Sequence, residues 1–558
     1  MKKLAILFLA LTWAACKKQS YDIVIRGGTV YDGSGKPGVL ADVAINADTV
    51  AFIGDLKNAE GKKEINAGGM AVAPGFINMM SHAEVSLLFD GNSQSDIRQG
   101  VTLEVLGEGS MGPMSEQMKK DDLEAMKRDP DWAYNIEWTS LGDYLNVLEK
   151  KKISPNVASF VGLNTIRVHE LGYANRPPSP EELERMKALV KQAMEEGAMG
   201  VTTALIYAPA NFAKTEELIE LSKVAAPYGG MYIAHIRSEG NAIEQAVDET
   251  IRIAREANIP VEIYHLKFSG QPNWNKFDTV TAMIAKANQS GLKVTADMYN
   301  YVAGATGLDA AMPPWIQEGG IKEWIKRMKD PVLRKKAIQE MRTPTDKWEN
   351  LMMLTGDFSR VLLMGFTNDS LRKNYTGKTL AEVAKIYGKS PEETAMDLVI
   401  TDGTRVGTAY FLMTEENIKK QIALPYLSFG SDAESSTAAG NFLKTPTHPR
   451  AYGNVARLLA KYVRDEKVIP LEEAIRKLTS LPAENLKIKK RGMLTTGYFA
   501  DVVVFDPAKI QDHATFENPH QYSTGVQQVF VNGVQVIKDG EHTNEKPGRI
   551  VRGPGWKK

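Results

Sequence analysis

Apolar residues along this chain fall into two textures. Through its middle, short apolar runs at 73–79, 102–107, 157–162, 200–206, 231–235, 260–265, 293–297 and 426–430 alternate with longer stretches whose apolar positions recur at helical spacing. In the stretch 180–195, Leu183, Met186, Leu189, Val190, Ala193 and Met194 make one apolar face, with charged side chains on the other. Short strands alternating with amphipathic helices predict an α/β fold whose parallel sheet is covered by helices. Eight such strands are the count of a (β/α)8 TIM barrel.

Near both chain ends the texture changes. Runs at 22–25 and 42–45 are separated by glycine turns at Gly27-Gly28 and Gly33-Ser34-Gly35, and runs at 500–505 and 528–532 precede a turn at Gly533. Two β segments flanking a long middle predict one β-sandwich domain built from both ends, 21–72 plus 484–558, with the barrel domain at 73–483 inserted between them. The stretch 308–418 is too long for an ordinary connection and carries helical patterns of its own, so it is expected to form an insertion above the barrel mouth.

Length and charge narrow the partner. The 558 residues exceed the roughly 250–300 at which one hydrophobic core stops growing, in keeping with a large and a small domain. With 68 basic against 68 acidic side chains, nothing steers the chain toward nucleic acid or an anionic bilayer, and a small-molecule partner fits better. Residues 1–20 read as a signal peptide and tether: Lys2 and Lys3, an apolar run at 4–15 too short to span a bilayer, then Cys16, the single cysteine of the chain. This arrangement resembles a bacterial lipoprotein signal, with Trp13 where leucine is usual. It implies lipidation at Cys16 and a lipid-anchored protein exported to the cell envelope and facing the periplasm. The membrane is then met through the anchor only, and a lone cysteine excludes an internal disulfide.

In a TIM barrel, function gathers at the C-terminal ends of the strands. Two runs end as Tyr232-Ile-Ala-His235-Ile-Arg237 and Glu262-Ile-Tyr-His265-Leu-Lys267, placing two imidazoles thirty residues apart at matching positions. That is about one βαβ unit. His235 and His265 are therefore expected side by side at the mouth, where neutral imidazoles suit a transition metal completed by an oxygen or sulfur donor. The alternative is a pair of structural histidines. The last run ends Leu427-Ser-Phe-Gly-Ser431-Asp432, a carboxylate able to move a proton beside a metal or, equally, to close an Asx turn. After the second run comes Glu108 between two glycines, a candidate anionic ligand or a surface loop residue. The first run brings only His82, a weak candidate by itself.

Together these stretches resemble the amidohydrolase superfamily, and within it the N-acyl-D-amino-acid deacylase (D-aminoacylase) branch. The resemblance runs over nearly the whole mature chain. It rests on Ile25-Arg-Gly-Gly-Thr-Val-Tyr-Asp32-Gly, Ala73-Pro-Gly-Phe-Ile, His235-Ile-Arg-Ser-Glu, His265-Leu-Lys, Asp297-Met-Tyr-Asn-Tyr301, Gly430-Ser-Asp432, His448-Pro-Arg450 and Ala514-Thr-Phe-Glu-Asn-Pro-His520. The resemblance implies the composite barrel and β-sandwich architecture, a zinc site, His235 and His265 as metal ligands, Asp432 as catalytic acid and base, and hydrolysis of the amide joining an acyl group to a D-amino acid.

Two departures bear on the metal. The family's first strand carries His-X-His, and here Met80 stands at the first histidine, leaving His82 alone. The branch also uses a cysteine after the second strand; this chain has none there, and Glu108-Gly109 resembles the family's Cys-Gly with a one-residue shift. The expectation is therefore one divalent ion, zinc by resemblance, held by Glu108, His235 and His265, which polarises the substrate carbonyl and activates water while Asp432 moves the proton. Arg237, Lys267 and the hydroxyl of Tyr207 are candidates for gripping a substrate carboxylate, or else members of structural ion pairs. Two further readings remain open: an amidohydrolase for cyclic amides or dipeptides, and an envelope binding protein that has lost catalysis.

Overall fold

The computed structural model describes residues 19–127 and 129–557. The signal segment and Cys16 lie outside the described residues. Parallel strands form two sheets. One runs Leu427–Phe429, Val294–Met298, Val261–Ile263, Met231–His235, Gly200–Ala204 and Val161–Gly162; the other runs Phe76–Ser81, Val101–Leu106 and Asn156–Ser159. The stretch 156–162 serves both, since Asn156–Ser159 pairs with Val101–Leu106 and Val161–Gly162 with Gly200–Ala204. At the opposite edges Ser81 and Ala433 form a parallel bridge, and the Asp432 amide donates to the Met80 carbonyl at 3.0 Å. Every residue of Phe76–Ser81, Val101–Leu106 and Met231–His235 is buried. Burial on both faces is what helices covering a parallel sheet produce.

The helix foreseen at 180–195 is Pro180–Glu196. Ser179 and Glu182 form a capping box, Pro180 supplies the first turn, and Gly197 ends the helix in the left-handed region at φ 106°. Met186, Val190, Ala193 and Met194 are buried beneath it.

Glycine divides the first expected strand. Ala71–Pro74 joins the sheet made by the chain ends, whereas Phe76–Ser81 joins the parallel strands. The Gly75 amide donates to the Asp501 carbonyl at 2.9 Å, and a Cβ at Gly75 would stand 2.1 Å from Thr102 Oγ1. Only glycine permits that approach as the chain passes from one sheet to the next. The continuous run 73–79 read from the sequence is corrected accordingly.

Both chain ends do build one β unit, but as a single nine-stranded hydrogen-bonded sheet. The long strand Gln19–Val30 is its branch point: its first part pairs with Ala59–Asn66, its last residues with Ala71–Pro74, and its other edge with Val39–Asn46. An irregularity between Ile25 and Gly28 lets the strand turn from one partner to the other. Ile25, Val43, Ile45, Val72, Val502 and Phe530 share the core enclosed by these strands. C-terminal Val502–Phe505 enters the sheet against Ala71–Pro74.

The expected insertion carries an antiparallel sheet of Ala303–Gly307, Gly407–Phe411 and Val361–Gly365. It has its own core, including Leu308, Trp324, Met328, Leu363 and Met396. Its first strand starts at Ala303, ahead of the boundary at 308 read from the sequence. Among the described residues, no helix is long and apolar enough to cross a membrane.

Candidate active site

His82, Glu108, His235, His265 and Asp432 all lie at or just beyond the C-terminal ends of parallel strands. Three of them hold the backbone in the left-handed region: Glu108 at φ 62°, His265 at φ 35° and Asp432 at φ 50°. Non-glycine residues rarely rest there, and the surrounding packing has to impose it. The turns bring the side chains to one point. Glu108 Oε1 lies 2.9 Å from His235 Nδ1 and 3.0 Å from His265 Nε2. One ligand atom from each of these three side chains falls within 4.8 Å of the others. His82 Nε2 stands 3.1 Å from Asp432 Oδ1 and 4.0 Å from Glu108 Oε2, so His82, Glu108 and Asp432 make a second group of the same kind.

The charges explain one another. Burial opposes ionisation of Asp432, yet Arg450, His265 and His82 together hold it at about 2. Glu108 is likewise held well below the usual carboxylate range, against burial, by His235, His265 and His82. Against burial, His82 is pushed up to about 9 by Asp432 and Glu108, and His265 to about 9 despite Lys267 as well. A buried centre with this much carboxylate draws in positive charge, whether as protons or as a metal ion. Two imidazoles and a carboxylate oxygen form a donor set suited to a zinc-type ion, and His235 Nε2 is buried without a hydrogen-bond partner.

Around this centre lies a cavity of about 380 Å³. Lys267 and Tyr207 line it, as the sequence suggested. Lys267 Nζ is engaged at 2.6 Å by Glu239 Oε1 and at 2.7 Å by His265 Nδ1, while the Tyr207 hydroxyl donates to Thr306 Oγ1 at 2.9 Å. Arg237 is absent from the lining. Its guanidinium pairs with Glu249 at 2.9 Å and donates to the Asn211 and Ala213 carbonyls, which makes it a brace between the helix Ile243–Ala257 and the segment 211–213 and not a substrate contact. That assignment is corrected.

Four further residues lining the cavity had no role in the sequence reading: Glu239, Tyr299, Arg405 and Arg450. Arg450 is the most informative. It is 4% exposed, its guanidinium lies 4.4 Å above the Tyr299 ring, and Nε and Nη1 are buried with no hydrogen-bond acceptor. Asp432 Oδ2 is 2.8 Å from Nη1, near enough to pair by charge although no aligned hydrogen bond forms. A buried guanidinium on a cavity wall calls for an anionic partner, and Asp432 supplies one here. Glu239 and Arg450 sit inside the stretches His235-Ile-Arg-Ser-Glu and His448-Pro-Arg450, where their companionship with histidine was the available signal. Arg405, which enters from the insertion and is gripped by Asp309 at 3.0 Å, had none.

Comparison with known proteins agrees with this geometry. A model of the amidohydrolase family matches residues 63–537. A D-aminoacylase of Alcaligenes xylosoxydans xylosoxydans is 34% identical over 538 residues, covering 96% of this chain and 98% of that protein. Among solved structures, a D-aminoacylase with a binuclear metal centre, activated by one metal and attenuated by the second, aligns with TM-score 0.78 at 32% identity, over 95% of this chain and 100% of that one. An N-acyl-D-glutamate deacylase from Bordetella bronchiseptica, complexed with zinc and a phosphonate mimic of the tetrahedral intermediate, aligns with TM-score 0.80 at 27% identity, over 96% and 100%.

Proposed function

The chain belongs to the amidohydrolase family, and from this we propose that it hydrolyses the amide bond of N-acyl-D-amino acids with one divalent ion, zinc, held by Glu108, His235 and His265. The observation that carries the reading is the convergence of these three donors beside Asp432 on the wall of one cavity. The D-configuration is taken from the substrates for which the similar proteins are named. A single ion is favoured because Met80, at the position of the missing histidine, is fully buried in an apolar cluster with Ile77, Leu103 and Ile233.

When bound, such an ion polarises the substrate carbonyl and lowers the pKa of a water. The protein supplies the rest. The guanidinium of Arg450, on the cavity wall, receives the substrate carboxylate, with Lys267 and Tyr299 beside it. As the carboxylate takes up that guanidinium, Asp432 loses its strongest cationic partner and becomes a better base. Asp432 then accepts the proton of the attacking water and passes it to the leaving nitrogen. One carbon–nitrogen bond breaks, one carbon–oxygen bond forms, and a carboxylic acid and a free amino acid leave.

We read the two parallel sheets as one closed (β/α)8 barrel, supported by the shared stretch 156–162 and the bridge from Ser81 to Ala433. The barrel domain is taken as 75–483 and the β domain as 21–74 plus 484–558, the first boundary moved from 73 because Ala73 and Pro74 pair with Val503 and Val502. For the N-terminus we propose export and acylation at Cys16, which incorporation of labelled palmitate, lost in Cys16→Ser, would test.

The enzymatic reading is tested by metal analysis joined to a panel of N-acetyl-D- and N-acetyl-L-amino acids, dipeptides and cyclic amides. One ion per chain with D-selective turnover is expected. Failure to retain metal after reconstitution, or equal turnover of L-substrates, overturns it.

A further inference from the structure

A second chamber of about 430 Å³ adjoins the catalytic cavity. The two share His82, Ala305, Thr306, Arg405, Asp432 and Arg450, so the reacting centre stands at their junction. Their other walls differ. The first chamber alone holds Lys267, Glu239 and Tyr299. The second is lined by Gly307, Gly407 and Met364 of the insertion sheet together with Phe442, Pro446 and Ala451. Charge is concentrated at the shared end, apart from the exposed Glu434 and the buried His448, whose Nε2 bonds to the Ala303 carbonyl at 3.1 Å.

The second chamber is continued by a third of about 290 Å³, which shares Gly407, Glu434, Thr445 and Pro446 with it and adds Trp132 and Phe366. Trp132 packs edge-on against Phe442 and against Phe89, with ring centroids 4.9 Å apart in both pairs. Asp129, Asp131, Arg372 and Lys444 also line this third chamber, so the apolar wall of Met364, Phe442, Pro446 and Ala451 gives way to charge at its outer end.

We infer that this second chamber is the acyl subsite and that the enzyme takes N-acyl-D-amino acids whose acyl group is a medium-length or longer apolar chain, in preference to acetyl. The inference rests on the deacylase reading above. With the amino acid carboxylate at Arg450 and Lys267, the amine half occupies the first chamber. Asp432 must reach the leaving nitrogen, so the acyl half extends past Asp432 into the second. A space of this size lies in the range that accommodates drug-sized ligands, and an acetyl group would leave nearly all of it to water.

The test is a series of N-acyl-D-methionines from acetyl through butanoyl and octanoyl to decanoyl, beside an N-acetyl series in which the amino acid side chain is lengthened instead. If half of each added methylene's burial is realised, kcat/KM rises about twofold per methylene, or roughly sixtyfold over the six methylenes from acetyl to octanoyl. Met364→Trp and Phe442→Trp, which fill the chamber, should collapse the octanoyl-to-acetyl ratio at least tenfold; as a ratio within one preparation, it is insensitive to partial misfolding. A flat or falling acyl series with acetyl substrate still cleaved overturns the acyl subsite and leaves the deacylase reading standing. Lengthening that is rewarded only on the amino acid side chain also overturns it. No turnover of any N-acyl-D-amino acid by the metal-loaded enzyme overturns the deacylase reading and the subsite with it.

Discussion

Replacing Arg450 with methionine isolates the step in which the substrate's own carboxylate prepares the catalytic acid. Methionine preserves much of the volume that packs on Tyr299 while removing the guanidinium. Each charge-assisted hydrogen bond in a buried site contributes about 1.5–3 kcal/mol, and two to one carboxylate are less than additive, so about 3–4 kcal/mol is expected. That is a loss of roughly 10²–10³ in kcat/KM. The substitution also removes the nearest cation from Asp432, whose carboxyl should rise from about 2.

A carboxamide substrate separates the two effects. Wild type and Arg450→Met are assayed with N-acetyl-D-methionine and with its α-carboxamide, four values that form a cycle between protein and substrate. The wild-type enzyme frees Asp432 from Arg450 only with the acid, whereas the variant frees it with both substrates, so any change in Asp432 favours the amide and widens the difference between the two. The acid should lose at least a hundredfold and the amide less than tenfold. Equal losses with the two substrates would mean that Arg450 acts on Asp432 alone and that the carboxylate binds elsewhere.

Asp432→Asn keeps the shape but not the proton transfer, and should lower kcat by about 10²–10⁴ with metal content unchanged; near-normal turnover at equal metal would remove Asp432 from catalysis. Glu108→Gln withdraws the anion facing both His235 and His265, so metal retained after dialysis against a weak chelator should fall well below the wild-type level by elemental analysis. Glu262 is fully buried on a parallel strand and raised to about 8 by burial and by the charge of Asp297. Its contribution to stability is therefore fully present below about 4.5 and lost as pH rises through about 8, so wild type should lose more stability over this window than Glu262→Gln, in which Asp297, Glu84 and Glu349 still titrate. Thermal melts of both proteins from pH 5 to pH 9 check the sign, and parallel curves would contradict it.

How much of this could be seen in the sequence depended on where each side chain sits relative to a strand. His235 and Asp432 were legible because an apolar run points to its own end, and a polar residue there has few roles open to it. Pairing His235 with His265 needed only the length of one repeat. The cations two residues further on were harder, since period-two alternation holds only while the chain stays extended. The strand of His235 ends at that residue, and Arg237 turns away to Glu249. Past Val261–Ile263, His265 adopts φ 35° and the turn carries Lys267 back to the metal-ligand candidates, so the same spacing failed for one cation and succeeded for the other. Glycine hid a boundary in the same way: the apolar run through Gly75 has no change of pattern where it passes between sheets, because the reason is a close approach to Thr102, distant in sequence. Arg405 and part of the wall of the second chamber, Gly307, Met364 and Gly407, come from the insertion, whose position over the centre is set by packing between segments far apart in the chain. What the sequence announces is a residue whose role follows from its own strand. What it withholds is a residue whose role exists only once two strands, or a strand and an insertion, have met, and Arg405 and the lining of the second chamber are of that second kind.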